Sequence, residues 1–125
     1  EALFILSTNP YGYMHIEELR DYVLQFEDVT EGFPFGEEVL VFKVQEKIFL
    51  LLPLSSQPLQ FNVKCDPDKA IELRELYPDA ILPGFHMNKR HWNTVIVDGT
   101  LPKKLLQEML TDSYNLVKKK SGKKK

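Results

Sequence analysis

Gly84-Phe85-His86-Met87-Asn88-Lys89-Arg90-His91-Trp92-Asn93-Thr94-Val95-Ile96-Val97-Asp98-Gly99 decides how this chain is read. The stretch predicts two strands, Ile81 to Met87 and His91 to Val97, around a polar, cationic turn. It holds the only tryptophan of the chain. Asp98-Gly99 closes it as a second turn.

Working outward, Asp66-Pro67 marks a helix start, with a capping carboxylate followed by proline at the first helical position. That helix runs to about Tyr77, with Ala70, Leu73 and Tyr77 inward, and Pro78 ends it. Before it, Leu59 to Cys65 alternates. Leu59, Phe61, Val63 and Cys65 point inward and Gln60, Asn62 and Lys64 outward, as in a half-buried strand. Glu38 to Val44 and Lys47 to Pro53 form a hairpin turning at Gln45-Glu46. Ile48 to Leu52 is apolar on both faces, which places it centrally. His15 to Phe26 is an amphipathic helix with Ile16, Leu19, Val23 and Phe26 at the 3.6-residue period. Gly32-Phe33-Pro34-Phe35-Gly36 predicts a loop whose rings cover the core edge. After Gly99, a third helix starts near Pro102, with Leu105, Leu106, Met109, Leu110, Ser113 and Val117 along one side.

The predicted order is α-β-β-β-α-β-β-α. Strands joined by short turns pair antiparallel, and the fold class is α+β, one antiparallel sheet backed by three helices. The chain has 125 residues, enough for one domain with a modest core. Residues 14–119 are expected to form it. Residues 1–13 are read as a leader ahead of a natural start at Met14, and residues 120–125 as a disordered lysine-rich tail.

Charge limits the partners. The net charge of −2 hides six lysines at positions 118–120 and 123–125, which leaves residues 1–117 with ten bases against eighteen acids, a net −8. Residues 1–63 carry Arg20, Lys43 and Lys47 against ten acids, so a broad basic face is excluded. Any nucleic-acid footprint must be local. No apolar run approaches the roughly 20 residues that span a bilayer. Cys65 is the only cysteine, so no internal disulfide can form and a reducing cytosol is expected.

Several segments together are similar to one family. Phe33-Pro34-Phe35, Val41-Phe42-Lys43-Val44, Lys64-Cys65-Asp66-Pro67, Asn88-Lys89-Arg90-His91-Trp92-Asn93, Asp98-Gly99 and Ser113-Tyr114-Asn115-Leu116-Val117 resemble the YjbR/MmcQ family of small bacterial proteins. The resemblance covers about Met14 to Lys119. It implies a CyaY-like α/β sandwich. It also implies a DNA-binding label, which rests on likeness to a "double wing" sheet and so on shape. The first 13 residues and the lysine-rich end depart from the family.

The candidate site is Lys64, His86, Asn88, Lys89, Arg90, His91, Trp92 and Asn93. Lysine and arginine bind phosphate oxygens, asparagine reads a base edge, and tryptophan stacks on a base. The competing structure is a solvated turn over a buried Trp92. A second candidate is a protein- or small-ligand-binding sheet face bearing Val39, Val41, Gln60, Asn62 and Trp92. A third is weak metal binding by Glu17, Glu18, Asp21, Glu27, Asp28 and Glu31, since hard cations prefer carboxylates. His86, His91 and Cys65 lack the close Cys or His pairs and the fourth ligand of a structural zinc site. The expected molecule is a monomeric, cytoplasmic, non-enzymatic binding module without a cofactor, with nucleic acid as its partner.

Overall fold

A computed structural model describes residues 13–122 apart from His86. Its elements are α1 (Ile16–Leu24), β1 (Val29–Gly32), β2 (Val39–Val44), β3 (Lys47–Pro53), β4 (Leu59–Lys64), α2 (Pro67–Leu76), β5 (Ile81–Pro83), β6 (Trp92–Val97) and α3 (Lys103–Gly122). The six strands form one sheet in the order β1-β2-β3-β4-β6-β5. Every neighbouring pair is antiparallel. The chain is thus α+β with three helices, as the sequence predicts.

One strand was not foreseen. Val29-Thr30-Glu31-Gly32 forms the β1 edge, paired with Val41 to Val44. It follows Asp28, whose left-handed backbone (φ 64°) turns the chain out of α1 and into the sheet. The next loop also differs from expectation. Phe33 and Phe35 are 48% and 65% exposed, so their rings do not cover the core edge. The strands of the last hairpin are shorter than predicted and stop at Pro83 and Trp92. Proline cannot extend a ladder, and the chain beyond Gly84 leaves the sheet. Residues 1–12 of the expected leader and residues 123–125 of the expected tail lie outside the described residues. Tyr13 stands against Gly99, Met14 is buried in the core, and α3 continues past Lys120 to Gly122.

Alternation sorts each strand into two faces. Phe42, Leu50, Val63 and Asn93 make one row across the sheet on the helix side. Gly32, Val41, Leu51, Asn62, Thr94 and Leu82 make the matching row on the outer side. On the helix side, Leu19, Val23, Leu73, Leu106, Met109, Leu110 and Val117 close over Phe42, Phe49 and Phe61. Ile48 to Leu52 reads as apolar on both faces partly because β3 carries a bulge. Phe42 pairs with Leu50 and Lys43 with Ile48, so Phe49 is the extra residue and both Phe49 and Leu50 are buried.

The bulge meets α3 at Ser113, which is fully buried. The β3–β4 ladder pairs Leu50 with Val63 and Leu51 with Asn62. Continuing that register would set Phe49 opposite Lys64. Instead the Lys64 N–H donates to Ser113 Oγ at 2.9 Å, and the Ser113 hydroxyl donates to the Phe49 carbonyl at 2.6 Å. A side-chain hydroxyl replaces the missing ladder bond and satisfies both backbone groups. Its neighbour Tyr114 donates to the Glu27 carbonyl at 2.6 Å and packs its ring on Phe26 and Phe49.

Two expectations follow for stability. Ser113→Ala strips the partner from two backbone groups and is expected to cost roughly 1–3 kcal/mol in urea unfolding; a loss indistinguishable from an exposed Ser→Ala change would contradict the bridge. At the β2–β3 turn, Gln45 and Glu46 both adopt positive φ, 53° and 68°, which suits the Asn-Gly pair of a tight hairpin. Gln45→Asn with Glu46→Gly is expected to raise stability by about 1 kcal/mol, read as a higher melting temperature.

Candidate nucleic-acid interface

The candidate residues sit on the end of β4, the start of β6 and the connection between β5 and β6. Lys64 and Trp92 are directly paired across β4 and β6 and share the outer face. Both are partly exposed. The ladder continues beyond them, since the Cys65 N–H donates to the His91 carbonyl at 2.7 Å.

The turn itself is held by its own polar groups. The Asn88 carbonyl accepts from the His91 and Trp92 N–H groups, and Asn88 Oδ1 accepts from the Arg90 N–H at 2.9 Å. That is an Asx turn, which suits asparagine at a reversal. Lys89 and Arg90 are exposed. The Lys89 ammonium donates to the Gly84 carbonyl at 3.0 Å, so it bridges the two arms of the connection. The Gly84 N–H donates to the Trp92 carbonyl at 2.9 Å. A Cβ at Gly84 would stand 2.8 Å from Trp92 Cβ, and only glycine permits this approach.

Asn93 does not belong with this group. It follows Trp92 and so faces the helices, with only 1% of its surface exposed. Its Oδ1 accepts from Arg74 Nε at 2.8 Å. It has no open edge with which to read a base, and that part of the expected site is corrected. His86 lies outside the described residues. His91 contributes through its backbone to the turn, with its side chain partly exposed.

Arg74 was missed by sequence reading. From α2 it holds Asn93 through Nε and the Lys89 carbonyl through its terminal nitrogen. It thus pins the cationic turn from the helix side. The available signal was its place one turn beyond Ala70 and next to Leu73, on the flank of the inner stripe. Phe85 was also missed. It is 52% exposed, and its N–H donates to Thr94 Oγ1, which in turn donates to Asn62 Oδ1 at 2.5 Å. This chain of bonds holds Phe85 at the β5 edge of the outer face.

The other candidates are reshaped too. Val41 and Asn62 are buried, so the expected open patch through Val39, Val41, Gln60, Asn62 and Trp92 is interrupted. On the acidic side, Glu31 takes a two-pronged bond from Arg20, Glu18 pairs with Lys103, and Glu27 lies 3.4 Å from Lys118. The Arg20 hydrogen bond holds the Glu31 carboxyl below the usual range. These carboxylates are committed to cations. Among the described residues, no group of three or more Cys, His, Asp or Glu is placed to hold a metal ion. Cys65 is buried, and burial pushes its thiol pKa up, which leaves it a poor nucleophile.

Fold and site together define a helix-backed antiparallel sheet with a cationic, aromatic corner on its outer face. The family model described as YjbR matches residues 24–116, and the chain belongs to the YjbR family. It is 39% identical over 102 residues to the Escherichia coli O157:H7 protein YbdF, covering 81% of this chain and 82% of YbdF. It is 28% identical over 101 residues to YjbR of Escherichia coli K12, covering 81% and 85% of the two chains. Both relatives are described as uncharacterized proteins. The crystal structure of Deinococcus radiodurans protein DR2400 superposes with a TM-score of 0.86 at 40% identity, over 90% of this chain and 85% of that one. A Pseudomonas syringae protein superposes with a TM-score of 0.70 at 25% identity, over 83% and 99% of the two chains. Among the described residues, no helix is long and apolar enough to cross a membrane.

The close approach at residue 84 can be checked. Gly84→Ala forces Trp92 aside and is expected to destabilise by roughly 1–3 kcal/mol while shifting the emission maximum of the single tryptophan. Unchanged emission together with wild-type stability would show that the two backbones are not in contact.

Proposed function

We propose that the chain is a non-enzymatic, monomeric, cytoplasmic module that binds nucleic acid at the β4–β6 corner of its outer sheet face, with unpaired bases as the preferred target. The observation that carries this is the direct pairing of Lys64 with Trp92, both partly exposed on one face, beside exposed Lys89 and Arg90. A cation next to an indole is the elementary unit of single-strand binding, in which phosphates meet charge and bases stack on rings. Phe85 offers a second ring at the same end of the face. The net −8 of residues 1–117 disfavours a long duplex, whose binding depends on neutralising many phosphates. A short strand at a local cationic corner asks for far less. A role in binding rather than in chemistry is supported by the buried Cys65, whose thiol burial keeps neutral.

Trp92 is its own reporter. Titration with a short oligothymidylate at low salt is expected to quench its emission. Lys64→Ala, or Lys89→Ala with Arg90→Ala, is expected to weaken binding and to flatten the salt dependence by about 0.7 in log–log slope per lost phosphate contact. Absence of quenching, or affinity that survives these substitutions and disappears with residues 123–125, would overturn the assignment.

A second function is favoured by a different observation. Phe33 and Phe35 are exposed at the β1 edge, and Phe33 lines a hollow of about 390 Å³ with Pro34, Val41 and Lys43. Aromatic side chains are enriched at the core of protein-binding surfaces. If the outer face serves a protein partner, Phe33→Ser with Phe35→Ser removes that interaction and leaves oligothymidylate binding intact.

A further inference from the structure

On the helix side, beneath the same corner, Asn93 has one group without a partner. Its Oδ1 is taken by Arg74, but its buried Nδ2 has no hydrogen-bond partner among the described residues. An unpaired buried amide N–H is costly, and native proteins seldom leave one. Asn93 lines a small, partly open chamber of about 10 Å³ with Lys64, Cys65, Leu73, Met109 and Asp112. That volume admits a single oxygen atom. Cys65 and Asp112 are also walls of a second, open cleft of about 250 Å³ between α2 and α3, completed by Asp66, Lys69, Asn115 and Leu116.

We propose that the chamber and the cleft form one small-molecule site, whose ligand is an uncharged compound with a compact apolar body and one acceptor oxygen. The oxygen enters the chamber and accepts from Asn93 Nδ2. The apolar body lies in the cleft against Leu116 and the Cys65 thiol.

The charges decide the class of ligand. Asp66 and Asp112 both line the cleft, and Lys69 is already paired with Asp112 at 3.1 Å. An anion would meet those carboxylates, and a cation would present no acceptor to the amide. Burial keeps Cys65 a neutral thiol, so it serves as apolar wall rather than as a charged partner. Few polar groups at the back of an apolar cleft is the common pattern of a ligand pocket. Cys65 and Asp112 line both spaces, so the chamber and the cleft are adjacent. Asn93 and Trp92 point to opposite sides of β6, so the amide faces away from the outer-face corner, and Lys64 borders both sites.

A series with one shared ring tests this. Cyclopentanone, cyclopentanol, cyclopentanecarboxylate and cyclopentylammonium are titrated into the full chain and followed by the side-chain amide resonances of Asn93 and by the backbone amides of Cys65, Lys69 and Asp112. The ketone and the alcohol are expected to give saturable shifts at these positions, and the two ions none. Asn115→Trp, which caps the exposed cleft without touching the core, is expected to abolish the shifts and leave the rest of the spectrum unchanged. Equal shifts from all four compounds would reduce the site to a non-selective dimple and overturn the proposal. So would an Asn93 amide that shows a cross-peak to bound water undiminished at the highest ketone concentration.

Discussion

The hydroxyl of Ser113 holds this structure at its least regular point. Phe49 and Lys64 stand where two strands would bond directly, and a bulge in β3 prises them apart. One oxygen on α3 accepts from Lys64 and donates to Phe49. A buried backbone group without a partner costs roughly 1–3 kcal/mol, a sizeable fraction of a small domain's stability. The bond therefore anchors the long helix to the sheet at a defined height and rotation. Neighbouring Tyr114 then reaches the Phe26–Phe49 cluster and the Glu27 carbonyl. The same bulge turns two consecutive side chains, Phe49 and Leu50, into the core.

The candidate interface depends on this anchoring through Lys64. Its backbone is fixed by Ser113, and its position sets it across from Trp92. From the other direction, Arg74 ties α2 to the Lys89 carbonyl and to Asn93. The cationic turn is thus held between two helices rather than left as a free loop. Preorganisation of this kind lowers the entropy cost of binding, which matters most where few contacts are available. The local placement also answers the charge problem. Near α1, Glu31, Glu18 and Glu27 are each paired with a cation, Arg20, Lys103 and Lys118, so part of the acidic excess is already neutralised where it sits.

Exposed aromatic rings mark both ends of the outer face. Phe33 and Phe35 follow the β1 edge and Phe85 follows the β5 edge. The two edges are five strand spacings apart, about 24 Å. Between them Val41, Asn62 and Thr94 are buried, so the apolar surface is divided into separate ends rather than one continuous patch. The proposed nucleic-acid corner and the exposed rings of the β1 edge therefore lie at separate ends of one face.

The helices, four of the six strands closely, the inward and outward parity of β4, and the family are all legible in the residues alone. These rest on local periodicity, on the Asp66-Pro67 cap and on a distinctive turn, all of which are short-range. The residues alone also brought Lys64 and the 88–92 turn into one candidate group. Tertiary structure alone decided the rest. The β1 strand is four residues with no alternating pattern to announce it, and it exists because β2 offers an open edge. Asn93 and Trp92 are adjacent in the chain and chemically suited to the same task, yet the register of β6 against β4 sends them to opposite faces. Arg74 lies 19 residues from Asn93 and reaches it only because α2 packs beneath the hairpin. Short-range patterns show what each segment prefers. Which polar groups meet is settled by packing, because the cost of leaving them unpaired is paid only once the core has closed around them.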